Sequence, residues 1–191
     1  RIYHENGKLS SKGNLTDGNK DGLWEWFNED GSRKTTENYK DGAISSGGTW
    51  EKGKKDGLWI ETYKDGTIYS KGTWEKGKKD GLWMERSLVG TVGLLGYGHY
   101  KKGKKDGLWT ETYKDESIYS KGTWKKGKKD SLWETYDENG QLEEKGHYKD
   151  GKKDGLWLGP SLEETGSPYS YGHYKKGRKD GLWLERSLIE G

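Results

Sequence analysis

The chain has no cysteine, two prolines, one phenylalanine and one methionine in 191 residues, and hydrophobic residues make up only 27% of it. Without cysteine there can be no disulfide and no thiolate metal site, and the compartment stays open, because cytosolic and exported proteins can both lack it. Ordinary globular domains are about 45–50% apolar on a count that includes glycine, so a conventional core of Leu, Ile, Val and Phe is excluded. No stretch approaches the roughly 20 apolar residues that carry a helix across a bilayer. The longest apolar patch, Leu88 to Leu95, is interrupted by glycine and threonine. A soluble or surface-exposed chain that does not span a membrane is expected. The sequence starts at Arg1, in mid-pattern and without an initiator Met, so a fragment or processed product is also expected.

What the chain does have is 11 Trp, 13 Tyr and 32 Gly. Disordered segments are poor in aromatics, so this composition points to a fold built around rings. The tetrapeptide Asp-Gly-Leu-Trp recurs at residues 21, 56, 80, 106, 154 and 180, with Asp-Ser-Leu-Trp at 130, at intervals of 35, 24, 26, 24, 24 and 26. Residues 48–59, GTWEKGKKDGLW, return unchanged at 72–83. Self-similarity at such a period marks a repeat architecture. The whole of residues 1–191 is expected to be one continuous array of about seven units of 24–26 residues, with an irregular unit at 25–50.

A full unit reads LWIETYKDGTIYSKGTWEKGKKDG from Leu58. Leu58 to Tyr63 and Ile68 to Trp74 are short, aromatic and β-branched, and Asp65 and Gly66 between them are the pair a two-residue type I′ turn favours. Asn6-Gly7, Asp30-Gly31 and Asn139-Gly140 repeat that signal. With this turn, Tyr63 faces Ile68, Glu61 faces Ser70 and Trp59 faces Gly72. Trp59, Glu61, Tyr63, Ile68, Ser70, Gly72 and Trp74 then share one face. An aromatic ring lying over a cross-strand glycine covers its backbone, so packing is the expected role of that glycine. Residues 75–81, EKGKKDG, are expected as a long connection on the opposite edge. The fold class is all-β, an elongated antiparallel β-meander of repeated hairpins forming a single twisted ribbon, with no helices.

Three departures carry expectations of their own. The 26-residue units place two extra residues in longer loops, Ser87 to Tyr97 and Pro160 to Tyr171, which are candidates for specificity. The 35-residue interval resembles a unit without its first strand. Because strands alternate direction, the Thr16 to Asp21 loop should lie on the edge opposite the basic loops that follow Trp50. Glu116 and Ser131 replace turn glycines, and non-glycine residues at positive φ cost stability, so that unit should be softer.

The units GTWEKGKKDGLWIETYKDG and GHYKDGKKDGLWLG resemble MORN repeats. Residues 138–157, ENGQLEEKGHYKDGKKDGLW, are especially similar to the bacterial variant found in antitoxin-like proteins. The resemblance implies an elongated β-meander used for protein interaction, scaffolding or, in some members, membrane association.

The residues offer little chemistry. His99, His147 and His173 occupy one slot, filled elsewhere by Thr49, Thr73 and Thr123, and equivalent positions in adjacent units stand about 10 Å apart, too far to share one metal ion. Glu61, Glu85, Glu111 and Glu185 form a ladder on an open sheet, without the enclosure a carboxylate pair needs for glycoside hydrolysis. No nucleophile motif or phosphate loop is present. No catalytic residue, metal or cofactor is expected.

The candidate contacts are Trp59, Trp83, Trp109 and Trp133 where exposed, the basic loops carrying Lys101, Lys102, Lys125, Lys126, Lys175 and Arg178, and the variant loops around Leu94 and Pro168. The expected function is a non-catalytic scaffold that binds a protein partner, in one version as an antitoxin-like neutraliser. A filament or surface appendage assembling end to end through unpaired terminal strands is the alternative. Recognition of carbohydrate by repeated aromatics is a third reading. Anionic lipid or an acidic surface would also suit the basic loops. With a net charge of only +3, nucleic acid is disfavoured.

Overall fold

The structure is a computed structural model and describes residues 1–40, 42–63, 65–89, 92–160 and 170–185. The described residues form sixteen strands and no helix: β1 (Ile2–Tyr3), β2 (Leu9–Thr16), β3 (Asn19–Phe27), β4 (Arg33–Lys40), β5 (Ala43–Glu51), β6 (Lys54–Thr62), β7 (Ile68–Glu75), β8 (Lys78–Val89), β9 (Val92–Lys101), β10 (Lys104–Thr112), β11 (Ile118–Lys125), β12 (Lys128–Tyr136), β13 (Leu142–Lys149), β14 (Lys152–Leu158), β15 (Ser170–Lys175) and β16 (Arg178–Glu185). Strand order follows chain order in one open antiparallel meander. Two compact units divide the chain: Arg1–Glu85 with Tyr100–Gly103, and Arg86–His99 with the described residues from Lys104 onward.

Asp-Gly and Lys-Gly exchange the turn roles expected of them. At Lys76 and Gly77 both φ angles are positive, 50° and 82°, and Glu75 pairs with Lys78. This is the two-residue type I′ turn, a conformation that needs positive φ at both central residues. The expected long connection is therefore a tight turn followed directly by strand, and Lys-Lys-Asp-Gly belongs to β8. Lys52-Gly53, Lys102-Gly103, Lys126-Gly127, Asp150-Gly151 and Lys176-Gly177 share this conformation.

At Asp65 and Gly66 only the glycine has positive φ. The Tyr63 amide donates to Thr67 O (2.9 Å) and the Gly66 amide to Tyr63 O (3.0 Å). That is a three-residue loop closed by a glycine bulge. Asp65 Oδ1 accepts from the Thr67 amide (2.8 Å), an aspartate cap that favours this turn over type I′. Tyr63 consequently faces Thr67, and Ile68 pairs with Thr62 instead of Tyr63. A bulge then restores the expected Glu61–Ser70 and Trp59–Gly72 pairs.

The core is a row of tryptophans over glycines, but each ring covers the strand before it, not the one after. A Cβ built on Gly72 would fall inside the Trp83 indole, and one on Gly48 inside Trp59. Gly13 with Trp24, Gly122 with Trp133, Gly146 with Trp157 and Gly172 with Trp183 repeat the arrangement. Each of these indoles, those of Trp59 and Trp83 included, donates Nε1–H to the carbonyl following its glycine, at 2.8 to 3.2 Å. A bulge between Thr73 and Gly72 in the β7–β8 register marks the same spot. Because the bond uses a backbone carbonyl, the side chain after the glycine is free to vary, and Thr123, His147 and His173 all serve.

In the first unit the missing strand has the expected consequence. Three strands, β3 to β5, separate the Asp17-Gly18 turn from Lys52-Gly53, so the two turns lie on opposite edges. It has a second consequence: a repeat that keeps its direction of advance but reverses its strands must turn over. Trp24 and Trp26 lie on one face, in ring contact with each other (5.9 Å). Glu25, between them in sequence, points to the other face, where it pairs with Arg33 (2.8 Å). Arg33 also covers Trp50 (5.0 Å). The aromatic row thus changes face between Trp26 and Trp50.

Candidate functional site

Lysine and tryptophan four residues apart in Lys-Asp-Gly-Leu-Trp meet on one face because the bulge at Gly-Leu takes up the intervening backbone. Lys55, Lys79, Lys105, Lys129, Lys153 and Lys179 lie 3.6 to 4.1 Å from the ring centroids of Trp59, Trp83, Trp109, Trp133, Trp157 and Trp183. Most also reach the next ring: Lys55 to Trp74 (4.9 Å), Lys129 to Tyr148 (5.3 Å) and Lys153 to Tyr174 (5.2 Å). Adjacent rings meet edge to face, as in Trp124–Trp133 (5.7 Å) and Tyr148–Trp157 (5.1 Å). Such pairs contribute about 0.5–1.5 kcal/mol beyond area burial, which makes good the shortage of aliphatic residues. The ladder lysines are therefore part of the core's lid, and the basic clusters lose their fourth cation to it.

Trp59, Trp83, Trp109 and Trp133 are all buried, as are Trp24 and Trp157, so these candidates are not exposed contacts; their rings fill the core face. Leu94 is 1% exposed and lies in β9. The segment expected as a long loop there is largely strand, because β8 runs on to Val89 and β9 begins at Val92. Pro168 lies outside the described residues.

The remaining ladder partners are carboxylates. Lys55 pairs with Glu61 (3.0 Å), Lys79 with Glu85, Lys153 with Glu144 (2.8 Å) and Lys179 with Glu185 (3.5 Å). Glu111 instead accepts from Ser120 Oγ (2.8 Å). Tyr100 donates to Glu85 (2.9 Å), and burial together with this carboxylate raises its pKa. On the reverse face Glu134 is gripped by Lys145 (2.8 Å) and Lys121 (3.0 Å). Those hydrogen bonds hold its pKa down at about 2. Lys12 (2.7 Å) and Arg33 do the same for Glu25, whose pKa is also lowered.

The cations at the Lys-Gly turns are exposed. Lys101, Lys102, Lys125, Lys126, Lys175 and Arg178 are all exposed. The turns that carry them are held rigidly. The amides of Lys76, Lys102, Lys126 and Lys176 donate to Asp56, Asp80, Asp106 and Asp154 of the preceding repeat (2.9 to 3.2 Å). The next glycine amide donates to a lysine carbonyl, as Gly127 does to Lys105 (2.8 Å). Asp56, Asp80, Asp106 and Asp154 thus serve the backbone and leave the turn lysine side chains to solvent.

In the second unit Lys175 and Arg178 are brought together, paired across the turn. With Lys152, Lys176, Lys179 and Asp180 they line a cleft of about 490 Å³. Five cations and one carboxylate line it, so the cleft carries net positive charge. Lys125 and Lys126 lie at another turn of the same unit, and Lys101 and Lys102 belong to the first. A second cleft of about 540 Å³, bordered by Arg86, Tyr113, Lys114, Asp115, Glu138 and Asn139, carries charges of both signs. Among the described residues no cluster of three or more His, Asp or Glu suited to a metal is found, and no helix is long and apolar enough to cross a membrane.

No curated protein matches the chain. The sequence model of the MORN repeat variant matches residues 1–17, 20–41 and 129–150, which span β1 and β2, most of β3 and β4, and the β12–β13 hairpin. In these three segments the chain is similar to a repeat used to build scaffolds.

Proposed function

We propose that this chain is a non-catalytic repeat scaffold that binds a protein partner through the cations of its Lys-Gly turns. The observation that carries this reading is the cleft at Lys152, Lys175, Lys176, Arg178 and Lys179. Its backbone is fixed by the Asp154 cap, and its charge complements an acidic surface. Of the glutamates weighed for catalysis, Glu61, Glu85 and Glu185 are paired with lysines of the ladder and Glu111 accepts from Ser120. In the finer version the partner is a toxic protein held inactive by the complex, as an antitoxin-like neutraliser would hold it.

The test is capture of binding proteins from source lysate on immobilised protein at physiological salt, identified by mass spectrometry, beside the Lys175→Glu/Arg178→Glu double variant. A stoichiometric acidic partner, released by salt and lost in the double variant, is the expected result. Growing self-oligomers with no other protein would instead favour the filament, and retention on anionic vesicles alone would favour a lipid surface.

A further inference from the structure

Lys129 stands apart in the ladder. Lys55, Lys79, Lys153 and Lys179 each have a carboxylate of this chain within ion-pairing distance, but none is found for Lys129 among the described residues. The cause is in the sequence. After Trp59 the chain reads Ile60-Glu61-Thr62-Tyr63; after Trp133 it reads Glu134-Thr135-Tyr136. One residue fewer before the glutamate sends it to the other face, since side chains alternate along a strand. There it pairs with Lys121 and Lys145, leaving Thr135 in the ladder slot opposite Glu144, and Glu144 itself pairs with Lys153.

A second donor stands beside the vacancy. Trp124 pairs with Lys129 across the β11–β12 turn, and its Nε1–H is buried without an acceptor. Buried donors seldom lack partners. The same orphaned donor occurs at Trp74 beside Lys79, which keeps Glu85, so the vacancy rests on Lys129 itself and the Trp124 indole, its cross-strand neighbour, serves as reporter. Desolvation lowers the pKa of Lys129, outweighing the more distant charges of Glu111 and Glu144, which raise it.

We propose that the Lys129 rung is a carboxylate-binding site, in which an Asp or Glu side chain of the protein partner takes the place that Glu61 holds beside Lys55. The geometry for such a guest is already displayed by the chain's own rungs, at 3.0 Å for Lys55 with Glu61 and 2.8 Å for Lys153 with Glu144. The site rests on the reading of this chain as a protein-binding scaffold and specifies one contact within it.

The probe is an acetylated, amidated tri-glutamate peptide, titrated into the whole chain while the Trp124 indole N–H and the Lys129 ammonium are followed by NMR. Both signals are expected to move and saturate together, with those of Lys55 and Lys153 unmoved. Thr135→Glu, which supplies the missing carboxylate in cis, should weaken the peptide by roughly tenfold or more, the scale set by a hydrogen bond to a charged group. Lys129→Arg should keep binding, and a native tryptophan spectrum in each variant reports that the fold is intact. Equal shifts along the whole ladder, or undiminished binding in Thr135→Glu, would overturn the site. Peptide binding at Lys129 with no acidic partner captured from lysate would refute the proposed function and leave the site standing.

Discussion

Hairpins 58–74 and 132–148 share a tryptophan over a glycine, a lysine over the tryptophan and an aspartate-stabilised turn, yet their glutamates lie on opposite faces. In the first, Glu61 completes the cation–aromatic ladder. In the second, Glu134 sits between Lys121 and Lys145 on the reverse side and the ladder is left one acceptor short. The difference is one residue of sequence phase. A repeat protein can therefore change the chemistry of one rung without altering its packing, because the strand register and its bulge are the same in both hairpins.

The comparison breaks most severely if the shared element is removed. Gly72→Ala in one repeat and Gly122→Ala in the other place a methyl inside an indole. Each is expected to cost about 1–3 kcal/mol, by similar amounts, in denaturant unfolding followed by tryptophan fluorescence; a cost at only one site would show that the two cores differ.

The contrast between the glutamates comes next. Glu134→Gln is expected to destabilise by about 1–3 kcal/mol, as loss of a charge-assisted hydrogen bond does. Glu61→Gln, in a single and more open ion pair, should cost below about 1 kcal/mol. The folded-state pKa of Glu134 is below its unfolded value, so its contribution is fully present above about pH 4.5 and is lost as pH falls toward about 2. A wild-type acid-unfolding curve with a transition in that window, absent from Glu134→Gln, checks the sign.

Backbone strain gives a smaller effect of the opposite direction. Glu116 and Ser131 have φ of 72° and 61°, at the positions that Gly66 and Gly57 hold in and just before the 58–74 hairpin. Replacing either by glycine should stabilise by about 1 kcal/mol. The smallest effect is expected at Asp150, which occupies the turn position held elsewhere by Lys76, Lys102, Lys126 and Lys176. Asp130 accepts from Ser131 Oγ (3.2 Å), and Asp150→Lys should add a few tenths of a kcal/mol, at most about 1, by replacing like charge with opposite charge. A thermal melt that moved down instead would show that the aspartate has a role of its own.

The period, the hairpins, the pairing of Trp59 with Gly72 and the change of edge at the missing strand were all legible, because each follows from residue order and the alternation of strands. The turn types were not. Asp-Gly suits two conformations, and the Asp65 side chain bonding to the Thr67 amide selects the longer one. Lys-Gly carries no strong turn signal, yet Lys76 takes positive φ because its amide is captured by Asp56 of the previous repeat. Of the candidate contacts, the exposed lysines and Arg178 are where their polarity places them. Trp59, Trp83, Trp109, Trp133 and Leu94 are buried, because a chain so poor in aliphatic residues must use its rings as core.

By itself the sequence determined that this is a β-repeat protein of aromatic and glycine pairs, since only sheets with period-two alternation can bury so few large side chains. Tertiary structure decided which neighbour each ring covers, the side on which the aromatic row emerges before and after the missing strand, and which lysine is left without a carboxylate. Those depend on bulges and on contacts between strands about ten to twenty residues apart, where one residue of register carries a side chain from one face of the sheet to the other.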